Sequence, residues 1–194
     1  MAKIYDAAQL RNAHLATRFG DDYILLSYPP TRRMTDATKL ILDLKENQPQ
    51  AVRKVLELLL PELKKWEKQL RDVDRCRYII CIPGHERGKV NFGCEAIAAE
   101  IASKFTWLSP LLDVLQRTKT VKKAATAGSA EERPEKSDHM KSIAYSGPKL
   151  VTTDAVLLMD DVLTMSNTSS ACREILLRDS KCKHVVGLFM GRTE

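Results

Sequence analysis

No apolar run in this sequence approaches the ~20 residues that a membrane-crossing helix needs, and residues 1–6 lack the apolar centre of a secretion signal. Neither a membrane partner nor export is expected, and the expected compartment is the cytoplasm. The five cysteines, Cys76, Cys81, Cys94, Cys172 and Cys182, are odd in number and include no C-x-x-C pair, which argues against a disulfide framework and a zinc ribbon. They read as buried reduced thiols, with Cys76 and Cys182 set among polar neighbours and expected to be exposed. Aromatic residues are scarce at 6%, which leaves little material for stacking on nucleic-acid bases. What is present is an ordinary globular balance, 44% hydrophobic and 29% charged, over 194 residues, enough for one well-buried domain. The net charge of +6 favours anionic ligands and suits a phosphorylated metabolite as well as a nucleic acid.

Along the chain, residues 23–28 form a short apolar run stopped by Pro29 and Pro30, and a helical pattern begins near Thr35. Pro49 suits the first turn of a second helix, which Pro61 should kink or restart before it ends near Leu70. This first third reads as packing helices around one strand. From Tyr78 onward, apolar runs at 78–82, 111–115, 155–159 and 184–190 alternate with helical patterns at 95–104 and 168–178. That order predicts an α/β fold with a parallel sheet, whose ligands bind beyond the carboxyl ends of the strands. Residues 116–142 show almost no apolar periodicity and carry many basic residues, so they read as one long mobile loop of the kind that serves as a lid.

The most informative stretch is Ala155-Val-Leu-Leu-Met-Asp160-Asp161-Val162-Leu163-Thr164-Met165-Ser166-Asn167-Thr168. It places an apolar strand, two adjacent acids and a hydroxyl-rich turn into a helix in that order. Adjacent carboxylates at a strand's end can accept hydrogen bonds from the vicinal hydroxyls of a ribose. Loop N–H groups, hydroxyls and the positive end of a helix hold a phosphate.

This segment resembles the motif by which type I phosphoribosyltransferases bind 5-phosphoribosyl-1-diphosphate (PRPP): four apolar residues, two acids, an apolar residue, any residue, then Thr-x-Gly-x-Thr. The resemblance implies the parallel-sheet phosphoribosyltransferase fold, with a helical N-terminal hood over residues 1–75 and the transferase core over 76–194. It implies that Asp160 and Asp161 meet the ribose 2′- and 3′-hydroxyls. Val162, Leu163, Thr164, Met165, Ser166, Asn167 and Thr168 would then form the loop around the 5′-phosphate. Ser166 stands where the motif has glycine, the residue favoured where a loop needs positive φ or close backbone approach. Serine still supplies a hydroxyl and an N–H, so the departure bears on turnover more than on binding.

Two further segments resemble the ComF group, phosphoribosyltransferase-like proteins linked to DNA uptake. The run from Ile79 through Pro83-Gly84-His85-Glu86-Arg87 to Asn91 is similar to that group's strand and diphosphate loop. Residues 83–87 would then offer free N–H groups, with Arg87 as counter-charge. The run Leu115-Gln-Arg117-Thr-Lys119-Thr120-Val-Lys122-Lys123 resembles the Arg-x-(Arg/Lys)-x-Thr opening of the group's mobile loop, which implies that Arg117, Lys119, Thr120 and Lys123 close over the substrate. ComF proteins commonly begin with a cysteine zinc finger, and this sequence has none, so only the transferase domain carries over.

The chemistry implied is displacement of pyrophosphate from ribose C1 by a base or amine, with Asp160, Asp161, Arg87 and Lys119 as the catalytic set. Mg²⁺ is the implied cofactor, held by Asp160 and Asp161 indirectly through ribose hydroxyls or water. The implied partners are PRPP or a ribose 5-phosphate nucleotide, and the chain would act alone or as a homodimer. The acceptor is not readable. A second reading is a PRPP- or nucleotide-sensing protein without turnover, associated with nucleic acid. A third, a nucleic-acid module with no small ligand, has the scarce aromatics against it.

Overall fold

The computed structural model describes residues 5–28, 34–121, 134–163 and 166–193. Helix α1 (Ala7–Ala13) leads into a hairpin of β1 (His14–Phe19) and β2 (Asp22–Tyr28), followed by helices α2 (Asp36–Lys45) and α3 (Pro49–Lys68). Then come β3 (Cys76–Cys81), α4 (Phe92–Lys104), β4 (Ser109–Pro110), β5 (Leu115–Arg117), α5 (Lys136–Ser142) and β6 (Ile143–Tyr145). Strand β7 (Ala155–Leu163), helix α6 (Asn167–Ile175) and strand β8 (His184–Thr193) complete the order.

Among the described residues the main sheet has six strands in the order β1-β2-β8-β7-β3-β4, and every pair except β1–β2 is parallel. The expected α/β class with a mostly parallel sheet is therefore the class observed. Strand β7 lies at its centre, and Ala155 through Met159 are all fully buried. A strand covered on both faces has no solvent side for polar residues, which is why this run is apolar at every position. Leu157 and Met159 face a layer formed by α2, α3 and α4, with Leu40, Val55, Leu59 and Ile97 in one cluster. Val156 and Leu158 face the other layer with Cys172 and Ile175 of α6. Strands β5 and β6 pair antiparallel as a separate two-stranded sheet, and Leu115 and Ile143 tuck its ends under this second layer.

Local chemistry sets the helix starts. Thr35 caps α2 by accepting from the Thr38 N–H, Pro49 occupies the first turn of α3, and Asn91 caps α4 by accepting from the Cys94 N–H at 3.3 Å. A Cβ on Gly93 would come within 2.6 Å of the Leu44 carbonyl oxygen, so glycine at this site lets α4 approach the end of α2.

Several expectations need correction. The strand expected at 111–115 is instead the two-residue β4 beside β3, followed by a turn with Asp113 at φ 54° and then β5. The expected loop 116–142 has regular ends, because Gln116 and Arg117 lie in β5 and Lys136–Ser142 is helical. Pro61 does not break α3, which runs through it. Cys76 and Cys182 are buried, so all five thiols lie inside. The first third holds two strands instead of one, and its helices share a continuous core with β3 and β7. The extra strand, β1, is a sheet edge whose apolar and polar residues do not alternate. Among the described residues no helix is long and apolar enough to cross a membrane.

Candidate functional site

The parallel pairing of β3 with β7 sets Cys81 opposite Met159, and the Ile82 N–H donates to the Met159 carbonyl at 2.9 Å. The chain leaving β3 and the chain leaving β7 therefore emerge side by side at the carboxyl edge of the sheet. Both segments singled out in the sequence lie here, in the position where parallel sheets hold ligands.

On the β7 side, Asp160 and Asp161 are part of the strand, which continues two residues past them instead of ending before them. The Asp161 N–H donates to the Asp160 carboxylate at 2.9 Å. Burial first, and then the adjacent Asp161, push the Asp160 carboxyl well above its ordinary range, while Lys45 at the end of α2 pulls it down. Two neighbouring acids cannot both ionise cheaply without a cation or hydroxyl donors nearby. Thr164 and Met165 of the expected loop lie outside the described residues. Val162 and Leu163 are buried in the strand and face the core.

Ser166 sits at the start of α6 with φ 60° and ψ 0°, in the left-handed region. This is the conformation in which a glycine costs nothing, at the position where the sequence replaces the motif's glycine. The Ser166 carbonyl accepts from the Ser170 N–H and from the Ser169 hydroxyl at 3.0 Å. Helix geometry leaves the N–H groups that open α6 without intrahelical partners, and they point out of the turn. Asn167 is tied down by its side-chain amide, which donates to the Pro134 carbonyl at 3.1 Å.

On the β3 side, the loop through Pro83, Gly84, His85, Glu86 and Arg87 is bound to the segment after β5. The Arg87 N–H donates to the Thr120 hydroxyl at 3.0 Å, the Val121 N–H to the His85 carbonyl, and the Gly88 N–H to the Arg117 carbonyl. The expectation of free N–H groups is thus corrected at Arg87, whose N–H is already engaged. His85 and Lys89 each approach the Glu86 carboxylate, at 3.3 and 3.1 Å. The Arg87 and Lys119 side chains are exposed, and Lys123 lies outside the described residues.

Arg117 differs from its neighbours. Expected on a mobile loop, it is fixed in β5 at 3% exposure. It donates to the Gly84 carbonyl at 2.9 Å and to the Ser142 hydroxyl at 2.7 Å, and its Nη1 lies 3.2 Å from His139 Nδ1. His139 Nε2 in turn lies 3.2 Å from the Thr168 hydroxyl. One continuous chain of hydrogen bonds therefore joins the loop after β3 to the first turn of α6. Burial lowers the guanidinium's pKa, and among the described residues no carboxylate pairs with it. Burial, then Arg117, hold the His139 imidazole down to about 4, against the weaker pull of Asp138. The sequence held no signal for His139 or Ser142, which lie in a stretch without periodicity.

A cavity of about 340 Å³ opens between this loop, the start of α4 and β5, lined by Arg87, Lys89, Asn91, Glu95, Asp113 and Arg117 among others. Asp160 and Asp161 are not in its wall, but Cys81, the register neighbour of Met159, is. Burial raises the pKa of Glu95, opposed by a hydrogen bond from the Asp113 N–H. Cys172 on α6, pushed up to about 12 by burial, also feels Asp160 and Arg117. Among the described residues no cluster of three or more His, Cys, Asp or Glu is placed to hold a metal ion alone.

The fold is that of an α/β protein with candidate ligand loops at the carboxyl edge of a mostly parallel sheet. No family model matches the chain, and no curated protein matches it by sequence. Among solved structures it is similar to adenine phosphoribosyltransferase from Leishmania tarentolae, at 12% identity and a TM-score of 0.39, over 91% of this chain and 94% of that one. It is also similar to adenine phosphoribosyltransferase from Leishmania donovani, at 11% identity and a TM-score of 0.38, over 89% and 84%.

Two outcomes follow. Ser166→Gly should raise the unfolding free energy by about 0.5–1 kcal/mol, because it relieves a left-handed serine, and a lower urea midpoint would contradict the conformation described. For His139 the folded pKa, about 4, is depressed from the ordinary 6.5. Its stabilising contribution is therefore complete above pH 6.5 and lost as pH falls toward 4. Urea midpoints measured across that window should fall more steeply for the wild type than for His139→Gln, and parallel curves would show that the imidazole is not buried neutral.

Proposed function

We propose that this chain binds the ribose phosphate part of PRPP at the β7–α6 turn, as a phosphoribosyltransferase-like protein of the ComF kind. The observation that carries the reading is Ser166 at φ 60°: the serine that departs from the motif adopts the backbone conformation the motif's glycine supplies. The acid pair before it and the open helix start after it complete the donors and acceptors that a ribose 5-phosphate needs.

In this reading the ribose hydroxyls donate to Asp160 and Asp161, which offsets the burial and the repulsion that raise the Asp160 pKa. Mg²⁺ fits the same pair by donor chemistry, since it commonly uses one or two carboxylates with substrate phosphates and water. The diphosphate would lie toward the loop of residues 83–87, where Arg87 and Arg117 supply positive charge beside the cavity. Lys119, exposed just after β5, would add to it. When bound, the metal would stabilise charge moving onto the leaving pyrophosphate as a base or amine attacks ribose C1. A second reading, binding without turnover, is favoured by the engaged Arg87 N–H, which removes one donor from the diphosphate loop.

The test is calorimetric titration with PRPP, with and without Mg²⁺, together with a pyrophosphate-release assay over a panel of bases and amines. Binding with release supports the transferase, and binding without release supports the sensor. Asp160→Asn combined with Asp161→Asn should keep the fold and weaken PRPP at least about tenfold, since charge-assisted acceptors are lost. Equal affinity in both proteins would remove the acid pair from the site.

A further inference from the structure

We propose that His139 is a positioning residue of the phosphate site, fixing the Thr168 hydroxyl as a hydrogen-bond donor toward the bound anion. The proposal deepens the ribose-phosphate reading and rests on it. Its starting point is Arg117, whose Nη1 lies 3.2 Å from His139 Nδ1. A guanidinium has donors only, so Nδ1 must accept. A neutral imidazole that accepts at Nδ1 carries its proton on Nε2. His139 is 7% exposed and its pKa is held down to about 4, so the neutral ring persists throughout the physiological range.

The consequence falls on Thr168. His139 Nε2 lies 3.2 Å from Thr168 Oγ1, so the Nε2–H donates and the threonine oxygen accepts. With a donor already directed at its oxygen, the hydroxyl turns its own proton away from His139. Thr168 is the second residue of α6, where helix geometry leaves the first-turn N–H groups without intrahelical partners. A hydroxyl donor and first-turn N–H donors at one helix start are the set a phosphate oxygen uses. Were the other tautomer present, Nε2 would accept the threonine proton, and the hydroxyl would turn lone pairs toward the anion. Arg117 thus sets the tautomer, and the tautomer sets the polarity of Thr168. Because Arg117 also holds the Gly84 carbonyl, the same guanidinium orients both loops of the site.

Two measurements on the full chain decide the matter. Nitrogen-resolved NMR of the histidine rings at pH 7 should show His139 with a protonated Nε2 and an unprotonated Nδ1; the reverse tautomer, or an imidazolium, overturns the proposal. Calorimetry with ribose 5-phosphate should show His139→Leu and Thr168→Val each weakening binding about tenfold, with the double variant no weaker than Thr168→Val alone. His139→Gln, whose amide can donate from near the Nε2 position, should keep most of the affinity. That variant decides the point if His139→Leu does not fold: a loss equal to that of Thr168→Val counts against positioning. Additive losses, or a His139→Leu protein that binds as the wild type does, overturn the proposal and leave the phosphate site standing. A wild type that takes up no ribose 5-phosphate overturns the site itself, and the role of His139 with it.

Discussion

A buried guanidinium that has no carboxylate partner among the described residues is the constraint around which this end of the molecule is arranged. Taking an arginine out of water costs several kcal/mol unless its donors are satisfied, and among the described residues Arg117 is satisfied by neutral acceptors: the Gly84 carbonyl, the Ser142 hydroxyl and His139 Nδ1. Those partners come from the loop after β3 and from α5, and His139 extends the chain to α6. Segments more than fifty residues apart in sequence are thereby held in one arrangement. A buried positive charge with no carboxylate beside it among the described residues also favours an anion there.

The acid pair on β7 is the complementary half. Asp160 and Asp161 repel one another in a partly dry setting, so they favour a cation or hydroxyl donors beside them, while Arg117 favours an anion. Both influences reach Cys172, one turn into α6. A ligand with hydroxyls at one end and phosphate groups at the other relieves both at once. The candidate site is polarised by these groups, and packed strands and a hydrogen-bond chain hold its parts together.

The central strand and its motif were legible because their causes are local. A five-residue apolar run, two acids and a hydroxyl-rich helix start each leave a signature in sequence, and the mostly parallel α/β class followed from strands alternating with helices. Ser166 could be singled out, but its left-handed backbone could not, because serine has no preference for that region and tertiary structure imposes it. Arg117 was read as a lid residue because basic residues in an aperiodic stretch are usually solvated. Only its acceptors, 22 to 33 positions away in the chain, bury it. His139 was invisible for the same reason. Strand β1 was missed because an edge strand need not be apolar, and the thiols of Cys76 and Cys182 were misplaced because polar sequence neighbours do not determine burial.

The central claim is that the turn from β7 to α6 is a ribose-phosphate site, and the most direct measurement is a crystal structure of the protein with ribose 5-phosphate. On this account the phosphate sits at the first turn of α6, within hydrogen-bond distance of the Thr168 hydroxyl and the backbone N–H groups beside it, with the ribose hydroxyls against Asp160 and Asp161. A sugar phosphate found only in the cavity beside Arg87 and Glu95, with the start of α6 free of it, would contradict the account.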